Sequence, residues 1–174
     1  MNMLRIITCI LLMAGLASCI TDGRHESGED MVKAGDMLPY FETTMADGRE
    51  ISTTELRGKV SVIVFFHTSC PDCRRELPVL QEVYEAFAGA EDFMFIAISR
   101  EEGGEEVAAY WKENGLTIPF SARTDRTVYE LFSTKGIPRI YISDKDTRIR
   151  YVHTDADMPA YEDLVAEIES VIGG

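Results

Sequence analysis

No stretch of this 174-residue sequence is apolar for long enough to cross a bilayer as a helix, which takes ~20 residues. The apolar run at residues 6 to 16 is about half that length. It follows Met1-Asn2-Met3-Leu4-Arg5, with a single positive charge, and so has the layout of an export leader. Basic residues are scarce as well. Seventeen Lys and Arg face 30 Asp and Glu for a formal net charge of −13, and loss of the leader would remove Arg5 too. That balance argues against a nucleic-acid partner and against electrostatic docking on anionic lipid. Internal repeats and a second shift in composition are both lacking, so one exported domain is expected. Cysteines number four and histidines three, too few for a disulfide framework or a rich metal site.

The leader ends in Leu16-Ala17-Ser18-Cys19, which resembles the lipobox of bacterial lipoproteins. The resemblance implies that Cys19 is diacylated and serves as the membrane anchor; the alternative is an ordinary leader cut after Ala17 or Ser18. Cys9 leaves with the leader in either case, so Cys70 and Cys73 remain for chemistry. Residues 19 to 30 are polar, carry two glycines and read as a flexible tether. The domain proper is expected from residue 31 to 174, long enough to bury a core.

Val60-Ser61-Val62-Ile63-Val64-Phe65-Phe66 is nearly all apolar and β-branched or aromatic, the pattern of a strand covered on both faces. Residues 93 to 98 form a second such run, and between them Leu77, Leu80, Tyr84 and Phe87 recur at helical spacing. Strand, helix and strand in this order predict a parallel βαβ unit. Two further helices are predicted, one through Val107, Tyr110 and Trp111 ending at Asn114-Gly115, the other through Val128, Leu131 and Phe132. A hairpin follows around Asp144-Lys145-Asp146-Thr147, with Arg148 and Arg150 facing out from an edge strand. The last helix carries Tyr161, Leu164, Val165, Ile168, Val171 and Ile172, with Asp157 and Pro159 as its opening. Periodicity alone thus gives an α/β sandwich.

Cys70-Pro71-Asp72-Cys73 follows the first strand and opens the next helix, where unpaired N–H groups and the helix dipole favour a thiolate at Cys70. Cys73 falls one turn further along the same face, within reach of a disulfide. Half of a zinc site and a structural disulfide are the other uses of such a pair. Zinc needs further ligands, and a disulfide this short closes little loop.

Residues 56 to 78, with Gly58-Lys59 before the strand and Cys70-Pro71-Asp72-Cys73-Arg74-Arg75-Glu76-Leu77-Pro78 after it, resemble the core of TlpA/ResA-like extracytoplasmic thioredoxins. Gly35-Asp36-Met37-Leu38-Pro39-Tyr40-Phe41 resembles their N-terminal strand entry, and Gly136-Ile137-Pro138 the loop that holds their cis-proline. The resemblance implies a thioredoxin fold, a central mixed β-sheet flanked by helices with an N-terminal strand extension and an inserted helix. It implies a thiol–disulfide oxidoreductase with Cys70 as nucleophile, Cys73 as resolving thiol and Pro138 as cis-proline. Pro71, Asp72 and Ile137 would line the substrate site, with no metal and no cofactor beyond the Cys70–Cys73 disulfide. Glu76 matches the family's acid beneath the thiols, and Val64 occupies the strand position where other thioredoxins place an aspartate. Expected partners are exported proteins carrying disulfides and a membrane thiol donor, and the chain is expected to act as a monomer.

Two departures from the pattern stand out. Ser69 replaces the tryptophan that often precedes the first cysteine, and Asp72 puts a negative charge between the thiols, opposed by Arg74 and Arg75. His67 reads as a loop residue rather than a base. A copper site of the Sco type, which shares this fold, would need His153 as a third ligand and a cysteine pair spaced one residue wider. A redox-inert binding module is the remaining class. A peroxidase would require proline and threonine where Ile63 and His67 stand.

Overall fold

The computed structural model describes residues 29–174, so the leader, Cys19 and nearly all of the expected tether lie outside it. The chain enters through a hairpin, β1 (Glu42–Thr44) and β2 (Glu50–Ser52), which pairs antiparallel as a sheet of its own and leads into a 3-10 turn at Thr53–Leu56. This hairpin is the N-terminal extension. The residues before it dock on the far edge of the domain, Gly35 N–H donating to the Ile149 carbonyl and Leu38 N–H to that of Thr147, each at 2.8 Å.

β3 (Val60–Phe66), α1 (Pro71–Phe87) and β4 (Phe93–Ser99) form the expected βαβ unit, with β3 and β4 parallel and Phe66 level with Ser99. All seven residues of β3 are buried, as their apolar run requires. α2 (Gly104–Asn114) stops at Gly115, whose φ of 66° is the left-handed helix cap that glycine adopts without a Cβ clash. β5 (Phe120–Ser121) then adds a short parallel strand beside β4, one that its sequence does not announce. α3 (Thr127–Glu130) is a single turn, shorter than the stripe through Phe132 suggests, and it leaves Leu131 exposed. Phe132 still packs inward, 4.9 Å from both Phe65 and Tyr141 between ring centres.

β6 (Arg139–Ser143) and β7 (Ile149–Thr154) complete the sheet antiparallel, in the order β5-β4-β3-β6-β7. β7 is an edge strand with Arg148 and Arg150 exposed, as predicted. α4 (Tyr161–Ile172) packs beside α1. Its N-cap is Ala160, while Asp157 instead accepts from Thr154 N–H at 3.1 Å and Thr154 Oγ1–H at 2.8 Å. Among the described residues no helix is long and apolar enough to cross a membrane. The carboxyl ends of β3 and β4 lie level with each other, and the head of α1 stands above them, where open α/β sheets hold their sites.

Candidate active site

α1 begins where Pro71 occupies the first helical position, its fixed φ suited to a helix start and its missing N–H not needed there. Cys70 is the extended N-cap residue and is half-buried, whereas Cys73, one turn on, is fully buried; both are free thiols. Burial pushes the Cys73 thiol well above its ordinary value; the His67 backbone N–H and the Arg100 cation pull the other way without overcoming it. Cys73 therefore stays protonated at neutral pH until a base relieves it.

The Gly136-Ile137-Pro138 loop faces the pair. The Ile137–Pro138 peptide is cis, both residues are buried, and Cys70 Sγ lies 3.5 Å from the Ile137 carbonyl oxygen. No hydrogen bond engages the Ile137 N–H among the described residues. Glu76 sits on the inward face of α1 with Cys73, only 5% exposed, and its Oε1 has no hydrogen-bond partner. Burial raises its pKa, with His153 the opposing influence. A solvated helix glutamate is thereby excluded.

The charges flanking the thiols are engaged elsewhere. Asp72 pairs with Arg75 along the outside of the helix, and Arg74 Nε donates to the Thr68 carbonyl at 2.5 Å with its guanidinium 5.8 Å from the Tyr110 ring centre. His67 Nδ1 accepts from Ser69 N–H at 3.1 Å, which fits the loop role. His153 Nε2 lies 2.7 Å from Glu167 on α4, and no group of three or more His, Cys, Asp or Glu side chains is placed to hold a metal among the described residues. The third ligand that a Sco-type site needs is thus turned to another partner.

Several contributors escaped sequence reasoning. Buried Glu102 accepts from Thr68 N–H at 2.8 Å and from the Thr68 hydroxyl, pinning the loop that carries Cys70. Arg100 lies over the Tyr129 ring, 5.1 Å from its centre, and donates to the Lys135 carbonyl at 3.4 Å. Both stand in the charged stretch from residue 100 to 106, which as sequence reads as a solvated loop. Asp30, expected in the tether, pairs with Arg139 at 2.7 Å and Lys135 at 2.9 Å, so contact with the domain begins ahead of residue 31.

Strand order and the position of the dithiol put the molecule in the thioredoxin-like class. Residues 34–152 match the AhpC/TSA family, and the chain belongs to that family. It is 25% identical over 168 residues to thiol-disulfide oxidoreductase ResA of Geobacillus thermodenitrificans, across 97% of this chain and 94% of that one. A putative protein disulfide isomerase from Bacteroides thetaiotaomicron superposes with a TM-score of 0.78 at 27% identity, covering 83% of this chain and 93% of that one. A thioredoxin-family thiol:disulfide interchange protein from Chlorobium tepidum gives 0.69 at 25% identity, covering 82% and 99%.

Proposed function

We propose that this thioredoxin-like thiol–disulfide oxidoreductase reduces disulfides in exported proteins, working outside the cytoplasm on a lipid anchor at Cys19. The observation that carries the reading is the unequal exposure of the two thiols, Cys70 reachable at the head of α1 and Cys73 buried behind it. The Cys70 thiolate attacks one sulfur of a client disulfide, forming a mixed disulfide and releasing the other sulfur as a thiolate. Cys73 then loses its proton and attacks Cys70 Sγ. The second client thiolate leaves, and the two electrons that reduced the client are those lost in forming Cys70–Cys73.

Glu76 is the base for the Cys73 proton, buried one turn along the same helix face with its Oε1 unpartnered, whereas the adjacent Asp72 is paired with Arg75 on the outside of the helix. The cis Pro138 loop offers the Ile137 N–H and carbonyl to an extended client segment, with Pro71 and Asp72 at the rim. A membrane thiol donor would return the pair to the dithiol. The leader and Leu16-Ala17-Ser18-Cys19 support the location, and the acidic balance supports acyl chains rather than charge as the attachment.

Cys73→Ser removes the second nucleophile. Cells carrying that variant are expected to accumulate reductant-sensitive covalent adducts with exported proteins, and Cys70→Ser cells few. Equal trapping by both variants, or by neither, would overturn the assignment and favour a redox-inert binding module.

A further inference from the structure

Arg139 directly follows Pro138 and is 2% exposed, the bulkiest side chain so completely removed from solvent among the described residues. A guanidinium buried to that degree persists only with a charge partner and hydrogen-bond acceptors. Its Nη1 forms an ion pair with Asp30 Oδ1 at 2.7 Å without hydrogen-bond alignment, and its Nε donates to the Gly136 carbonyl at 3.1 Å. The other Asp30 oxygen takes Lys135 Nζ at 2.9 Å. Backbone pairing fixes Asp30 in this place. Glu29 N–H donates to Thr134 Oγ1 at 2.8 Å, Thr134 N–H to the Glu29 carbonyl at 2.9 Å, and Met31 N–H to the Phe132 carbonyl at 3.0 Å. Asp30 thus stands opposite Ser133 in an antiparallel bridge. From the other side the Tyr129 hydroxyl donates to the Lys135 and Gly136 carbonyls.

We propose that Asp30 is a positioning residue of the active site: through Arg139 and Lys135 it sets the Gly136-Ile137-Pro138 loop at the height where the Ile137 backbone meets an extended polypeptide substrate. The segment arriving from the N-terminus is then part of the substrate-binding structure and not only a leash. A polypeptide disulfide depends on that backbone contact, whereas a small aromatic disulfide reacts at Cys70 with little use of the loop. The inference rests on the reductase reading above for its kinetic arm alone.

The test uses the full-length chain as wild type, Asp30→Asn and Asp30→Glu, with insulin and 5,5′-dithiobis(2-nitrobenzoate) as substrates and amide hydrogen exchange over residues 134 to 139. For Asp30→Asn, KM for insulin is expected to rise about fivefold more than KM for the small disulfide, the scale of one weakened hydrogen bond. Exchange across the loop should accelerate, and Asp30→Glu should recover both. Equal changes for the two substrates, or a Glu variant no better than Asn, would overturn the proposal. So would unchanged exchange, which reads the loop even in a chain that reduces neither substrate. Should Asp30→Asn not fold, Lys135→Met removes one of the two Asp30 contacts at an exposed site and is expected to move both readouts the same way by less; no movement there counts against the proposal.

Discussion

Glu76 and Cys73 share one predicament: each is an acid buried where its charged form is poorly solvated, so each holds its proton more tightly than it would in water. For Glu76 the consequence reaches stability. Between the ordinary glutamate value of 4.5 and its own raised pKa, the folded chain retains a proton that the unfolded chain has released. Stability therefore falls as pH rises through that window, and above it the folded state bears the full cost of an unpaired buried carboxylate. Glu76→Gln stays buried and polar but cannot ionise, so on the alkaline side it is expected to be more stable than wild type by about 1.4 kcal/mol for each pH unit by which burial raises the carboxyl, while turning over more slowly. Thermal melts from pH 4 to 9 check the first effect, and the pH profile of disulfide reduction the second. A variant with wild-type pH dependence in both would remove Glu76 from the proton path. The helix spacing that puts Glu76 one turn past Cys73 is plain in the sequence, but the missing partner of its Oε1 is not, because that depends on what α4 and β7 bring near it.

Among the elements, α1 does most to assemble the site, and it does so at both faces. Its head presents the cysteines, and further along buried Gln81 uses Oε1 to accept from Thr117 N–H at 2.8 Å and Ile118 N–H at 3.2 Å, with Nε2 donating to Thr117 Oγ1 at 2.7 Å. Those bonds hold the chain where it turns into β5, next to the Trp111 indole whose N–H goes to the Ile118 carbonyl at 2.9 Å. Gln81→Leu leaves two backbone donors without an acceptor and is expected to destabilise the fold by about 1–3 kcal/mol, measured by urea unfolding. A change within a few tenths of a kcal/mol would mean that water replaces the amide. The short α3 shows the opposite relation between pattern and structure. Its apolar stripe runs on to Phe132, yet the helix ends at Glu130 because residues 132 to 134 are drawn into pairing with residues 29 to 31. A long-range ladder there outweighs a weak local helix preference.

At the scale of the whole molecule, the proposed attachment at Cys19 is tested apart from the redox chemistry. Cys19→Ala is expected to move the protein from the membrane fraction to the soluble exported fraction while leaving reduction of a soluble disulfide intact. A wild-type chain already free of membranes would remove the lipobox reading. The runs at β3 and β4, the helix between them, the hairpin with its outward arginines and the Cys-Pro-Asp-Cys head of α1 were all legible from sequence, because each follows from residue order within a short window: β-branched runs make buried strands, a proline starts a helix, and a three-residue offset stacks two side chains. Tertiary structure alone decided the rest. Glu102 on the Thr68 backbone, Gln81 on the 117–118 turn and Asp30 on Arg139 join residues 34, 36 and 109 positions apart. No local pattern encodes those pairings, since a charged or amide side chain looks the same in sequence whether water or a buried backbone group is its partner.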